Sequence, residues 1–205
     1  MKKIILALAT ALLISGTAFA GRSGFEAGVA YGNISFIDKN NFRTHTDVSG
    51  WGFEVGYYQS LLPFVGLQGN IFCVFPGSVT HTVNGGSASD ISASYKSPYF
   101  ATGEAMVMLN LPIAILDLRA GAGISYTMHD AENKLNSTKF VSHYFAVPVS
   151  VAAAIHLGGF GLKAGCDMNF VFSKYITQDN KTEKVENDNL NTFIILPYVA
   201  LTFNF

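Results

Sequence analysis

The sequence predicts an all-β protein, a closed barrel of eight antiparallel strands in up-and-down order that crosses a membrane. Three observations predict it. Apolar residues recur with a period of two, not the 3.6 of a helix. The alternating segments run to the 9–11 residues or more that a tilted strand needs to cross a bilayer core. Their connections alternate between short and long, the asymmetry of a barrel with turns on one side of a membrane and loops on the other.

Composition sets the frame for that reading. The chain has 205 residues, 49% of them hydrophobic and only 13% charged, with a mean hydropathy of +0.30. Soluble domains carry about 25% charged residues, so half of the usual water-facing inventory is missing. Abundant apolar side chains with little charge exclude a disordered chain. A formal net charge of −1 offers no basic face to neutralise phosphates and argues against a nucleic-acid partner.

Residues 1–20 have the pattern of a cleaved export signal. Lys2 and Lys3 give a positive start, Ile4 to Ile14 an apolar run, and Ala18-Phe19-Ala20 a small-x-small cleavage site before Gly21. The apolar run is too short to span a membrane. The expected barrel is therefore 21–205.

The period-two segments fall at 24–36, 49–59, 64–75, 98–110, 113–129, 143–156, 160–173 and 192–205. In the first, Phe25, Ala27, Val29 and Tyr31 oppose Glu26, Gly28, Ala30 and Gly32. In the second, Trp51, Phe53, Val55 and Tyr57 oppose Gly52, Glu54, Gly56 and Tyr58. The fifth sets Leu116, Leu118, Ala120, Ala122, Ile124, Tyr126 and Met128 against Asp117, Arg119, Gly121, Gly123, Ser125, Thr127 and His129. Short connections are expected at Ser60–Pro63, Asn110–Pro112 and Leu157–Gly159. Long ones are expected at Ile37–Val48, Pro76–Ser97, Asp130–Ser142 and Lys174–Asn191.

The polarity is inverted relative to a soluble sandwich. One face is apolar and nearly free of charge, as lipid requires, since a Lys or Arg at the bilayer midplane costs about 2–4 kcal/mol. The other holds glycines and isolated ions. Aromatics gather towards strand ends as two interfacial belts. Phe25, Tyr57, Phe64, Phe160, Phe203 and Phe205 are expected at the periplasmic rim. Phe36, Trp51, Phe75, Tyr126, Phe172 and Phe193 are expected at the outer one. The last strand, LPYVALTFNF, carries Phe205, Phe203, Leu201, Val199 and Pro197 on its lipid side, with a bend or bulge expected at Pro197.

Signal segment, eight alternating strands, four long loops and a terminal aromatic strand together resemble the small outer-membrane barrels typified by the OmpA transmembrane domain and OmpX. The resemblance covers the whole chain after the signal and is one of pattern, without a diagnostic motif. It implies an outer-membrane location and that Leu201, Phe203 and Phe205 form the signal read by the barrel-assembly machinery. It also implies an interior salt-bridge cluster. By alternation Glu26, Glu54, Glu104, Asp117, Arg119, Lys163 and Asp167 point inwards, where an eight-stranded barrel is only just wide enough for side chains. Five carboxylates against two cations would either form a sealing network or line a weakly cation-preferring conduit.

Other chemistry has little support. Ser142-His143, His129-Asp130 and His81 fall near the outer rim, but nothing in the chain sets a nucleophile, base and orienting acid together. Cys73 and Cys166 fall on the lipid face of different strands, too far apart for a disulfide. No metal-ligand spacing occurs, no cofactor is implied, and Gly158–Gly161 reads as a tight turn and not a phosphate cradle. The expected function is a non-catalytic structural or surface-interaction role through the extracellular loops, in a monomer surrounded by outer-membrane lipids. Loops SVTHTVNGGSASDISAS and KYITQDNKTEKVENDNLN are the candidate contact surfaces for an extracellular ligand. The alternatives are a narrow channel for small or hydrophobic solutes and a lipid A-modifying enzyme.

Overall fold

A computed structural model of the chain describes residues 23–113, 115–135, 137–179, 181–185 and 189–205. The signal segment 1–20 and its cleavage point lie outside the described residues. Ten strands form in chain order: β1 (Ser23–Asp38), β2 (His45–Leu62), β3 (Val65–Thr82), β4 (Ser89–Asp90), β5 (Tyr95–Ile113), β6 (Leu116–Asn133), β7 (Thr138–Leu157), β8 (Phe160–Gln178), β9 (Lys181–Lys184) and β10 (Leu190–Asn204). Eight long strands are the staves, and each pairs antiparallel with its neighbours in the order β1-β2-β3-β5-β6-β7-β8-β10. β10 pairs with β8 on one side and β1 on the other, which closes the sheet. Closure leaves no stave with an unpaired edge. The fold is the closed eight-stranded antiparallel barrel.

Alternation decides which face each residue takes. On β1 the outward Phe25 and Val29 are exposed, while the inward Glu26 and Ala30 are buried. The outward set on β10 is Ile195, Val199, Leu201 and Phe203, all exposed; the inward Ile194, Leu196, Tyr198 and Ala200 are buried. Across the seam Phe25 stands opposite both Phe203 and Tyr57. Phe25 and Tyr57 rings lie 5.2 Å apart, and Phe160 and Phe203 5.5 Å apart. At the other end Tyr31 and Trp51 meet edge to face at 5.3 Å. These rings bound an outward apolar band of the kind a bilayer covers.

The staves are longer than the sequence pattern suggests, 15 to 20 residues. At about 3.3 Å per residue and the usual tilt, an 18-residue stave rises about 45 Å, whereas the apolar band needs about 25 Å. The sheet therefore continues well beyond the membrane at the outer end. Much of the sequence expected as long polar loops is strand. The segment after β3 turns at Asn84-Gly85, both with positive φ (53° and 72°), as a tight hairpin turn requires. It folds back so that β4 pairs with β3, and the Ile91 amide donates to Val79 O at 2.9 Å. The Ser92 hydroxyl and, secondarily, the Ser92 amide hydrogen-bond the Asp90 carboxyl and hold it below the ordinary carboxylate value. β9 likewise pairs back on β8.

Four further expectations are corrected. The connection expected at Asn110–Pro112 is strand, because β5 runs to Ile113. Phe36 shares the parity of Glu26 and packs against the buried apolar cluster, so it belongs to the lumen and not to the outer belt. Pro197 makes neither bulge nor shift: the β1–β10 ladder omits the rungs at Tyr31 and Gly32 and resumes in the same register. Proline lacks the N–H for that rung, and continuous pairing of β10 with β8 keeps the strand straight. The inward face is also not uniformly polar, as described below.

Val55 lies between Trp51 and Tyr57 on the outward face of β2. Val55→Arg should cost about 2–4 kcal/mol, read as a shift of the unfolding midpoint in phospholipid vesicles. An inward substitution of similar size would not share its dependence on bilayer depth.

Candidate functional site

The lumen is filled in tiers. Towards the periplasmic turns Tyr58 packs with Met106 and Met108. Beside and above them lies a polar tier to which every stave contributes. Glu26 is its hinge: Lys163 Nζ donates to Glu26 Oε2 at 2.6 Å, and Arg119 Nη1 donates to Oε1 at 3.2 Å. Arg119 Nη2 also lies 3.6 Å from Asp117 Oδ2, which His156 Nε2 approaches to 2.7 Å. Asn204 Nδ2 meets the other ring nitrogen of His156 at 3.2 Å. The guanidinium of Arg119 sits 4.1 Å over the Tyr58 ring, and the Lys163 ammonium 5.0 Å from the Tyr198 ring. One chain of contacts thus runs across β10, β7, β6, β1 and β8.

Asp167 accepts from Ser150 Oγ and from Asn70 Nδ2, the latter at 3.1 Å. Glu104 Oε1 accepts from Asn169 Nδ2 at 2.7 Å, and Asn169 in turn accepts from Ser125. Glu54 differs. It is fully buried among Glu26, Lys163 and Asp167, yet neither carboxyl oxygen has a hydrogen-bond partner among the described residues. All seven ionisable residues singled out in the sequence are less than 10% exposed.

The third tier is apolar. Ile34, Phe72, Val74, Phe100, Ile194 and Leu196 are each 0% exposed and pack into one cluster with Tyr198 and Ala200. Phe72 meets Tyr198 edge to face at 5.6 Å. Phe100 occupies the space that Gly32 leaves: a Cβ there would lie 2.5 Å from Phe100 Cζ.

Above the plug the barrel opens into an outer cavity of about 580 Å³. Its wall depends on three irregularities of register: an extra residue in β3 opposite Ser49/Gly50 of β2, one in β5 between its own Lys96 and Tyr99, and one in β8 opposite Phe145/Ala146 of β7. Each extra residue reverses which parity faces inwards. Val79 and His81, Ser97, and Lys174 and Ile176 line the cavity for this reason.

The rim histidines are separated by the same alternation. Ser142 lines the cavity, whereas His143 stacks on Tyr126 of the outward face, with Tyr126 Oη 2.6 Å from Nδ1. His81 Nδ1 lies 2.8 Å from Thr46 Oγ1. His129 meets a serine distant in sequence, its Nε2 2.7 Å from Ser97 Oγ. His129 Nδ1 has no partner among the described residues, so the carboxylate that orients a catalytic histidine is missing there. Cys73 and Cys166 are free thiols on different staves, β3 and β8.

No family model and no characterised protein sequence matches the chain. Solved structures do. OprG from Pseudomonas aeruginosa matches with a TM-score of 0.58 at 12% identity, over 91% of this chain and 96% of that one. Neisserial surface protein A matches with a TM-score of 0.53 at 9% identity, over 88% and 97%. Ail, the attachment invasion locus protein of Yersinia pestis, matches with a TM-score of 0.52 at 10% identity, over 90% and 99%. The chain has the fold of a small outer-membrane β-barrel. At these identities the likeness extends to architecture and not to ligands.

Within this outer-membrane barrel, the sequence pattern singled out the Asp, Glu, Lys and Arg side chains of the polar tier and passed over their partners Gln68, Asn70, Ser150, His156 and Asn169. Their signal is present in the chain: Gln68 and Asn70, or Asp167 and Asn169, stand two apart on the inward parity. Removing one partner of a buried ion pair costs about 3–5 kcal/mol. Glu26→Gln, which removes the negative charge that Lys163 and Arg119 share and one of its two acceptor oxygens, should lose an amount in that range. Glu54→Gln removes a carboxylate with no hydrogen bond to lose and should be neutral or stabilising. Urea unfolding in lipid, followed by gel mobility of unheated samples, separates the two.

Proposed function

We propose that this outer-membrane barrel neither conducts nor catalyses, and that it acts at its extracellular end as a structural and surface-interaction protein. One observation carries the reading: two successive tiers, one ionic and one apolar, fill the lumen with fully buried side chains drawn from around the barrel. A conduit needs a continuous wetted path, and Phe72, Phe100, Ile34 and Leu196 leave no exposed surface to wet. That no orienting acid stands beside Ser97 and His129 among the described residues supports the non-catalytic part. A barrel of the same fold, Ail, has been solved in complex with the heparin analogue sucrose octasulfate, which supports an interaction role for such architectures.

The reading includes export by residues 1–20 and a monomer surrounded by outer-membrane lipid. It also includes recognition of Leu201, Phe203 and Phe205 by the barrel-assembly machinery. In support, Phe205 lies outward at the seam with its ring 5.9 Å from that of Phe25, and its amide donates to Ser23 O at 2.9 Å. Those contacts join the two chain ends where closure is completed.

Planar bilayers containing the purified barrel should show no steady unitary current, and lipid A from expressing cells should keep an unchanged acyl pattern by mass spectrometry. Currents that shift when Glu54 or Arg119 is neutralised would restore the channel; an altered acyl pattern would restore the enzyme. Deleting Phe205 should lower the outer-membrane yield in cells while the protein still refolds into vesicles. Equal yields would remove the assembly role.

A further inference from the structure

We infer that the outer cavity binds an uncharged, ring-bearing apolar molecule, gripped between two separate sheets. This rests on the reading of the lumen as closed, because the apolar tier is the floor of the cavity. Within the membrane band every stave is paired on both sides, but two of the ladders stop at its outer edge. β3 and β5 pair only from Val65 opposite Leu109 to Val74 opposite Phe100, although β3 runs on to Thr82 and β5 starts at Tyr95. β8 and β10 likewise part above Phe170 and Phe193, although β8 runs on to Gln178 and β10 starts at Leu190. The other ladders continue into the outer rim. The extracellular wall is therefore two jaws: β10, β1, β2 and β3 with β4, facing β5 to β8 with β9. The β4–β5 connection stands in the first split, where the Ile91 amide donates to Val79 O and the Lys134 amide to Ser94 O, each at 2.9 Å. Across the second, Lys174 Nζ donates to Leu190 O at 3.0 Å.

The hollow between the jaws is about 580 Å³, within the roughly 300–1,000 Å³ usual for small-molecule sites. One jaw lines it with Phe36, Val48 and Val79, the other with Ala131, Phe140 and Tyr144. Where the hollow meets the apolar tier, the Phe36 and Tyr144 rings approach to 6.3 Å. Apolar walls that face water are costly until something apolar covers them, and a guest touching both jaws supplies the contact that the missing ladders do not. Polar side chains of the wall turn to one another: Thr46 Oγ1 lies 2.8 Å from His81 Nδ1, and Ser97 Oγ 2.7 Å from His129 Nε2. Of the two lysines in the lining, Lys174 bonds to Leu190 O, and Lys96 is exposed to water opposite Glu132 of β6. A guest therefore meets hydrocarbon and ring faces, and rings favour offset or edge contacts with another ring.

The test uses the full barrel in phosphatidylcholine nanodiscs, with empty discs as reference and N-phenylnaphthylamine as a fluorescent probe. Saturable uptake of one probe per barrel above the empty-disc background is expected. Val79→Trp in one jaw or Ala131→Trp in the other, either of which fills the hollow, should abolish it. Val151→Trp on the lipid face should leave it unchanged. Anilinonaphthalene sulfonate, which adds one sulfonate to the probe, should bind about tenfold more weakly or worse, because the anion loses its water there. Spin labels placed through Asn40→Cys and Gln178→Cys, one on each jaw, with Cys73→Ser and Cys166→Ser, report the distance between jaws. The probe should narrow that distance distribution and leave an Asn40→Cys, Ser87→Cys pair within one jaw as it was. Each variant is accepted as folded by its heat-modifiable gel mobility. Uptake equal to that of empty discs, or uptake unchanged in the folded filled variants, overturns the proposal. Equal or tighter binding of the sulfonate overturns the uncharged class, and an unchanged distance distribution overturns the grip by both jaws. A barrel that binds no probe and carries no current refutes this inference alone, whereas a conducting barrel refutes the closed lumen itself.

Discussion

Hydrocarbon offers no hydrogen bonds, so every backbone N–H and C=O inside it must find a partner in the chain. The seam between β1 and β10 answers that constraint, and the rest of the molecule depends on it. An open sheet of the same strands would present two unpaired edges to lipid, at several kcal/mol per unmet group. Once the seam closes, the register of all eight staves is set around the ring, and alternation fixes which residues meet acyl chains. The outward apolar band is a consequence of closure as much as of composition.

Closing at eight staves also makes the interior narrow, and a narrow interior has to be filled. This barrel fills it in two chemically different ways along the axis. Around Glu26 the filling is ionic, with one carboxylate accepting from both Lys163 and Arg119. Around Phe72 and Phe100 it is hydrocarbon and aromatic. The ionic tier fixes positions through directional bonds, and the apolar tier adds burial without desolvating further charge. Small residues at Gly32 and Gly165 make room for the Phe100 and Tyr198 rings, which explains inward glycines that would leave a soluble core underfilled.

Much of this architecture is legible in the chain. Phe25-Ala27-Val29-Tyr31 against Glu26-Gly28-Ala30-Gly32 already states the two faces, and the ends of the band follow from Trp51 and Tyr57. Two things were not legible. The apolar plug has the same period-two signal as the lipid face: Phe72 and Val74 alternate with Ile71 and Cys73, so hydrophobicity alone cannot assign them. The outer wall was hidden for a different reason. Parity counted from the membrane band places Val79, Ser97 and Lys174 outside, and only the extra residues in β3, β5 and β8 turn them in. A scan for charge finds Glu54 and Asp167 but not Asn70 or Ser150, because an amide or hydroxyl completes a buried network without marking itself by charge.

Those three register offsets separate the evolutionary fates of the two halves. Within the membrane band below them a single inserted or deleted residue would turn ions towards acyl chains. Above them the sheet stands in water, and the same one-residue change merely exchanges the side chains on its inner and outer surfaces. The exterior third can therefore be relined by small indels, acquiring new chemistry while the embedded portion stays untouched.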